Sequence, residues 1–323
     1  MSIKAKFDAS GRDVHIDVPL SNVAIDYRPD GFIADMIAPI VPVAKQSDMI
    51  PEFNRDDAYR IENTDRAPGT HAKKVTRDVS THTYFCKNYA LMKDVTIEDR
   101  MNADPIYAQK LYNNAATYVT GKLLLDWENR VATQVTNTSN VGSSSAVSSS
   151  WTDYSNSDPL TDIWAAIDNV QDSNGLKPNR IVFGDKAWRN FRRNTNVLNK
   201  IFGTNNGGGY ASIPQVSNLL DIPNIMVGGA YKNTANPSQS ESLTQIWDDN
   251  VIIYFAPSNP SIDDPSFMYS FRWSLPGLPN MQAERHPYDS KAKAESVEVG
   301  YYQDEKIIKS SYAFLITAVT SST

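Results

Sequence analysis

Residues 104–135, DPIYAQKLYNNAATYVTGKLLLDWENRVATQV, form the longest stretch of the chain with helical periodicity. Asp104 followed by Pro105 is a typical helix start, because a carboxylate caps the first turn and proline is tolerated at the first helical position. Apolar side chains recur at helical spacing and predict one buried stripe, formed by Leu111, Ala115, Tyr118, Leu125 and Val131. At 1.5 Å per residue, the predicted helix is about 45 Å long.

Before this helix, the sequence predicts a long two-stranded hairpin between about Ile50 and Val95. The odd positions of its second strand are mostly apolar, which predicts one buried face, formed by Val75, Val79, Phe85, Tyr89 and Leu91. The turn, NTDRAPGTHAKK at residues 63–74, is polar and has little of its own to bury. A two-stranded hairpin is not stable alone in water, so it must pack on a neighbouring subunit or on its own chain.

Six basic side chains near this turn are candidate contacts to a neighbouring subunit: Arg55, Arg60, Arg66, Lys73, Lys74 and Arg77. The four arginines are the candidates to pair with carboxylates of a neighbouring subunit. Solvated surface charge is the favoured alternative, because exposed ion pairs contribute only roughly 0–1 kcal/mol.

The chain opens with an extended arm, residues 1–45, in which prolines disfavour long helices. One short helix, Phe32 to Ile37, is predicted there, with Asp30 as its cap. After the long helix, NTSNVGSSSAVSSS at residues 137–150 is small and polar, which predicts a flexible exposed loop.

Helices then alternate with short apolar strands, which predicts an α/β domain over about residues 155–275. Asp158-Pro159 opens a helix that Gly175 ends, and a strand from Arg180 to Phe183 follows. Two hairpins are predicted further on. In the first, Asp248-Asp249-Asn250 joins Thr244–Trp247 to Val251–Phe255; in the second, Gln303-Asp304-Glu305 joins a strand around Val297 to one that returns from Ile307 to Val319.

Composition excludes several classes of protein. The formal net charge is −6 and the pI is near 5.3, which argues against a protein that grips nucleic acid through a basic excess. One cysteine, Cys86, cannot form an internal disulfide, and its expected role is that of a half-buried strand residue. The sequence shows no secretory signal and no apolar stretch long enough to span a bilayer, so we expect a protein made in a reducing cytoplasm.

No catalytic, cofactor-binding or metal-binding site is predicted. The four histidines have no partner at a metal-ligand spacing, and Gly207-Gly208-Gly209 lack the Lys-Ser/Thr of a phosphate loop. Asp248-Asp249 and Asp263-Asp264 are explained by turn chemistry better than by a cation. Four tryptophans, Trp164, Trp188, Trp247 and Trp273, are predicted to lie in the core.

The order of these segments resembles the HK97-type major capsid proteins of tailed bacteriophages. YRPDGFIADMIAPIVPV (27–43) resembles their N-arm, and DRAPGT (65–70) with THTYFCKNYALMKDV (81–95) resembles their E-loop. The long helix resembles their spine helix. GLKPNRIVFGDKAWRNF (175–191) and SNLLDIPNIMVG (217–228) resemble their A-domain, and VEVGYYQDEKIIKSSYAFLI (297–316) resembles their closing P-domain strands.

The resemblance implies an α+β fold of five parts. These are an extended N-arm (1–45), an E-loop hairpin (46–95), the spine helix and a loop of the P-domain (96–154), an α/β A-domain (155–275) and C-terminal P-domain strands (276–323) that form a hairpin. It also implies a non-enzymatic shell subunit, without cofactors, that forms pentamers and hexamers. A loop of the A-domain would then lie near the capsomer axis, with Gly203, Asn205, Asn206, Gly207, Gly208, Gly209 and Tyr210 as its residues.

Partners and location follow from the same resemblance. We expect the subunit to associate with itself, a portal, a separate scaffolding protein and in some cases a decoration (cement) protein. The shell would enclose DNA without specific binding, be assembled in the host cytoplasm without a membrane, and be part of the virion. No Asn and Glu match the isopeptide cross-link that some members form through an E-loop Lys, so covalent ladders are not expected.

Three alternatives stay open at the level of sequence. An encapsulin-type compartment shell has the same fold. An enzyme built on the α/β domain of residues 155–275 would leave the arm, hairpin and spine helix unexplained. A tail tube or sheath component is expected to be richer in β-structure.

Overall fold

The computed structural model describes residues 17–53, 59–76, 79–103, 105–203, 209–262, 264–274 and 279–320. The fold is α+β, as expected, and is built on two five-stranded sheets. The helices are α1 Val18–Asp26, α2 Ala34–Ile37, α3 Ile97–Asn102, α4 Pro105–Val135, α5 Pro159–Asn174, α6 Asp185–Phe191, α7 Thr195–Phe202 and α8 Ile213–Leu220. The strands before α4 are β1 Ile40–Val43, β2 Ser47–Phe53, β3 Val79–Phe85 and β4 Lys87–Thr96.

Ten further strands follow α4 along the chain. They are β5 Ser143–Ala146, β6 Arg180–Gly184, β7 Asn224–Gly228, β8 Tyr231–Asn233, β9 Leu243–Gln245, β10 Val251–Tyr254, β11 Met268–Trp273, β12 Gln282–Asp289, β13 Ala294–Ile307 and β14 Ala313–Thr317. A 3₁₀ turn, Ser310–Tyr312, joins β13 to β14.

In the first sheet, β13 pairs with three strands, β11, β12 and β4. Strand β1 is added beside β11. The long strand β13 holds the sheet together, because residues 294–303 pair with β4 while residues 302–307 pair with β11. Alternate side chains of β13 point to opposite faces of the sheet. Val297, Val299 and Tyr301 are buried beneath α1 and α4.

The second sheet has the order β5–β14–β10–β6–β7. Its central strand β10 is buried along its whole length, since helices cover one face and the end of α4 covers the other. The predicted helix α5 is confirmed with its signals: Asp158 accepts from the Thr161 N–H, and Gly175 ends the helix at φ 65°. The predicted strand at Arg180 is confirmed as β6.

The long helix is confirmed as α4, although Asp104 lies outside the described residues. Its predicted stripe is only partly correct, because Ala115 and Val131 are buried whereas Tyr118 is 55% exposed. The first half of α4 packs on the first sheet and the second half packs on the second sheet, so the buried face shifts along the helix. The buried apolar positions are Tyr112, Ala115, Ala116, Val119, Leu123, Trp127, Val131, Ala132 and Val135.

The hairpin is confirmed as β2 paired with β3, in the register Met49 opposite Thr83. The predicted buried face is wrong. Tyr84 and Cys86 are buried, whereas Val79 and Phe85 are 49% and 54% exposed. The chain leaves one strand and enters the next at Cys86, because β3 pairs with β2 while β4 pairs with β13.

Both later hairpins are wrong as predicted. Strand β9 pairs with β8, so Asp248-Asp249-Asn250 joins strands of two different sheets. Gln303-Asp304-Glu305 lies within the continuous strand β13 rather than in a turn, because all three residues pair with β11 and Gln303 also pairs with β4. The actual hairpin is β12 with β13, and β14 joins the second sheet.

Four smaller differences concern local segments. Helix α1 was not predicted, and the predicted helix from Phe32 is the shorter α2. Residues 137–150 contain strand β5, since β14 offers an edge to pair with. Trp164 is 37% exposed, unlike the buried Trp188 and Trp247.

Candidate assembly surfaces

The hairpin β2–β3 has one face that covers its own subunit and one that faces outward. On the inner face, Ile50 and Tyr84 are buried against β1 and β11, and the Tyr84 ring stacks on Phe271 with ring centroids 5.1 Å apart. Cross-strand neighbours of an antiparallel pair share a face. The other face therefore gathers Met49, Val79, Thr81, Thr83 and Phe85, which we call the hairpin outer face.

The hairpin outer face is apolar and exposed. Met49 is 66% exposed, and Val79 and Phe85 are each about half exposed. Apolar side chains that cluster on one exposed face, rather than scattering singly, mark sites of protein association. The outer face can therefore pack against a second polypeptide without any rearrangement of the inner face.

The base of the hairpin is fixed by hydrogen bonds to the first sheet and to the segment between β1 and β2. The Phe85 N–H donates to Asp304 Oδ2 at 2.9 Å, and the Tyr84 hydroxyl donates to the Lys45 carbonyl at 3.1 Å. The Cys86 Sγ lies 3.4 Å from the Phe271 carbonyl oxygen, to which its S–H donates. Burial raises the pKa of the Cys86 thiol to about 11, so the thiol is protonated at neutral pH. The hairpin thus projects from a rigid base.

The turn region of the hairpin, residues 59–76, is exposed throughout its length. Two apolar side chains lie there in solvent, Ile61 at 97% and Val75 at 71% exposure. The Arg66 Nε–H donates to the Thr70 carbonyl at 2.7 Å, so this arginine organises its own turn. Among the described residues, Lys73 and Lys74 form no ion pair.

The predicted contact residues therefore fall into two groups. Arg60, Arg66, Lys73 and Lys74 are exposed in the turn region. Arg55 and Arg77 lie outside the described residues. Contact of any of them with a neighbouring subunit stays a prediction.

The arm that precedes the hairpin is anchored by Glu128 of α4. The backbone N–H groups of Ile33 and Ala34 donate to its carboxylate at 2.8–3.1 Å, and the Trp247 indole N–H donates at 2.6 Å. Burial raises the pKa of this carboxyl group. The backbone of the arm also lies close to that of Gly229, since the Gly31 carbonyl accepts from the Gly229 N–H at 3.1 Å. Gly31 has a φ of 81°. Sequence reasoning missed Glu128, because a single acidic residue in a helix carries no signal of burial.

A second buried network ties α4 to the first sheet. Arg130 donates to Glu305 at 2.8 Å and also pairs with Asp126, while the buried Arg272 donates to Gln303 Oε1. Burial lowers the pKa of Arg272 to about 10, yet the guanidinium stays charged at neutral pH. Because every one of these groups has a partner, the network makes α4 and the sheet one rigid unit.

A cavity of about 450 Å³ lies beneath the arm. Its lining includes Phe32, Trp127 and Met281, with Glu128 and Arg272 as the buried charged groups. Both charged groups hydrogen bond within the protein, to the arm and to Gln303. Glu128 and Arg272 therefore hold parts of the fold together.

The predicted axis loop is only partly described. Gly203 ends α7 at φ 85°, and Gly209 and Tyr210 are exposed, whereas Asn205, Asn206, Gly207 and Gly208 lie outside the described residues. The Tyr210 ring lies 4.9 Å from the Arg192 guanidinium carbon. The position of this loop near a capsomer axis stays a prediction.

The described part of the chain contains no group of three or more His, Cys, Asp or Glu side chains that could hold a metal ion. His286 instead pairs with Glu298 at 2.8 Å, and Asp248 pairs with Lys186. No helix among the described residues combines the length and apolar character of a membrane span.

The chain is similar to known phage proteins both in sequence and in fold. Residues 108–262 match the family described as phage major capsid protein E. A curated relative, the major capsid protein of Pseudomonas phage JBD67, is 28% identical over 235 residues, which cover 72% of this chain and 74% of the relative.

Solved structures share the fold over nearly the whole chain. A phage-related protein from Bordetella bronchiseptica RB50 superimposes with a TM-score of 0.75 at 24% identity, over 96% of this chain and 99% of that one. The capsid structure of the cyanophage P-SCSP1u gives a TM-score of 0.59 at 12% identity, over 91% and 90% of the two chains.

In sequence and in fold, the chain is thus similar to phage major capsid proteins with the HK97-like fold. The resemblance stated from the sequence is thereby confirmed.

Proposed function

We propose that the chain assembles through pentamers and hexamers into an icosahedral head that encloses double-stranded DNA. The hairpin outer face carries this proposal. A rigidly based hairpin that leaves Met49 and Phe85 in solvent has its natural partner in an adjacent copy of the same chain. The capsid protein structures that share this fold are consistent with such self-association.

The five-part domain division predicted from the sequence is retained in this proposal. The proposal also keeps residues 203–210 near the capsomer axis. It keeps the basic residues near the hairpin turn as contacts to a neighbouring subunit. A portal, a separate scaffolding protein and, in some particles, a decoration protein are the further partners we infer. The subunit acts by assembly in the host cytoplasm and performs no catalysis.

The experiment is to purify particles formed by the chain and its genomic neighbours and to measure nuclease-protected nucleic acid. A DNA-filled head protects double-stranded DNA of uniform length. Particles that contain cargo protein and no protected DNA would instead establish an encapsulin-type compartment. A chain that stays monomeric and turns over a substrate would overturn the proposal in favour of an α/β enzyme.

A further inference from the structure

The exposed side of α4 carries tyrosines and lysines in contact with each other. The Lys110 ammonium lies 4.8 Å from the centre of the Tyr107 ring. Lys93, on strand β4, and Lys122 lie 4.5 and 5.7 Å from the centre of the Tyr118 ring. All five side chains are exposed. We call them the lysine–tyrosine stripe.

The positive charge of this stripe is not compensated by the subunit. Within residues 105–203 and the other described ranges, none of the three lysines forms an ion pair with a carboxylate. Arginines nearby behave differently, since Arg100 pairs with Glu295 and Arg130 pairs with Glu305. In a chain of net charge −6, a basic stripe without acidic partners is a distinct electrostatic feature.

Two glutamates of the first sheet lie on the face that points away from α4. Glu284 of β12 lies directly across from Glu298 of β13. Burial and the neighbouring Glu298 raise the pKa of Glu284. Because side chains alternate along a strand, these carboxylates point away from α4, which covers the face containing Val297 and Val299. The three unpaired lysines therefore lie on the α4 side of the first sheet, whereas this glutamate pair lies on the other side.

We propose that the lysine–tyrosine stripe contacts the backbone phosphates of double-stranded DNA, so that the α4 side of the first sheet faces the interior of the shell. This inference rests on the proposed function, since it requires a shell that encloses DNA. Lysine ammonium groups and tyrosine hydroxyls both donate to phosphate oxygens, and such contacts carry no sequence preference.

The dimensions of the stripe fit this partner. From Tyr107 to Lys122 the helix rises about 22 Å at 1.5 Å per residue. That length exceeds the roughly 12 Å width of the major groove, so the stripe can meet phosphates of both strands. Three lysines give weak, salt-sensitive contacts, which hold the DNA near the wall and still let it move during packaging and ejection.

The first test measures DNA binding by the unassembled full-length chain, with a fluorescent 20-base-pair duplex at a series of salt concentrations. Lys93→Gln, Lys110→Gln and Lys122→Gln are combined in one variant. Each lost phosphate contact lowers the slope of log K against log salt by about 0.9, so we expect the slope to fall by about 2 to 3. A matched variant carries Lys200→Gln, Lys291→Gln and Lys293→Gln, which remove the same charge at exposed positions elsewhere. Equal slopes in the two variants overturn the inference.

The second test measures which lysines are accessible in intact particles. An amine-reactive polymer too large to pass the shell is applied before and after dissociation, and the modified lysines are identified by mass spectrometry. We expect the three stripe lysines to react only after dissociation. Their reaction in intact particles at the rate seen for dissociated subunits overturns the inward orientation.

The two tests separate this inference from the proposed function. Closed, DNA-filled particles whose stripe lysines react from outside would support the head and refute the inner surface. If no shell forms, the proposed function fails, whereas the first test still reports whether the stripe binds DNA.

Discussion

The indole N–H of Trp247 donates to the Glu128 carboxylate at 2.6 Å, and this bond links the segment before β10 to the long helix α4. The same carboxylate accepts the N–H groups of Ile33 and Ala34. One buried side chain therefore joins the arm, the helix and the segment that leads into the second sheet, which fixes their relative positions.

We predict that Glu128→Gln destabilises the unassembled subunit by about 1–3 kcal/mol, because an amide replaces one acceptor oxygen with a donor that faces N–H groups. Chemical denaturation measures the change. The conservative control is Asp172→Asn, an exposed aspartate of α5, for which a much smaller loss is expected. Equal losses for the two variants would contradict this role of Glu128.

The same site predicts a pH dependence. Burial raises the pKa of Glu128 in the folded chain above its ordinary value of 4.5. The stability that this group contributes is therefore fully present below pH 4.5 and is lost as pH rises through the raised folded pKa. Glutamine does not titrate, so the wild-type chain should gain stability relative to Glu128→Gln as pH falls through that window. A stability difference that is constant with pH would contradict the prediction.

The hairpin outer face predicts an assembly defect without a folding defect. Phe85→Asp places a charge on a surface that we expect a neighbouring subunit to cover, and the yield of closed particles should fall at least tenfold. Leu243→Asp is the control, because Leu243 is 64% exposed on the β8–β9 hairpin. Light scattering reports assembly and circular dichroism reports folding. Normal particle yield from Phe85→Asp would remove this face from the interface.

Cys86 predicts slow chemical modification. The thiol is fully buried and its pKa is raised to about 11, so little thiolate exists at pH 8. A thiol reagent should modify the folded chain orders of magnitude more slowly than the chain in denaturant. Rapid, stoichiometric modification of the folded chain at pH 8 would show that this base of the hairpin opens readily.

The structure leaves no room for a side chain at position 184, which is Gly184. A Cβ atom there would overlap the carbonyl oxygen of Asp248, which is backbone and cannot rotate away. Gly184→Ala should therefore destabilise the chain by about 1–3 kcal/mol or more. Gly209→Ala is the matched control, because the nearest atom to its Cβ would be 3.9 Å away. Similar melting temperatures for both variants would refute this close approach.

The sequence could predict the elements whose signals are local. Asp158 and Gly175 bound α5 because a cap and a left-handed glycine act within a single turn. Strand pairing depends on partners distant in the chain, so no local signal showed that β13 passes through Gln303 without turning. The turn predicted at Asp248 is a real bend in the chain. The prediction was wrong about the strands on either side of it, which belong to different sheets.

The assembly surface shows a different limit of sequence reasoning. The apolar alternation at Val79 and Phe85 was visible, and it indicated a face that is covered by something. Periodicity cannot tell whether the cover comes from the same chain or from another one. The inner face, with Tyr84, is covered by the chain itself, so the alternation marked the outward face instead.

Electron microscopy with light scattering tests the central claim most directly, on the chain produced alone and together with a candidate scaffolding protein. Closed isometric particles or five- and sixfold rings are the predicted result. A monodisperse monomer under both conditions would contradict the account.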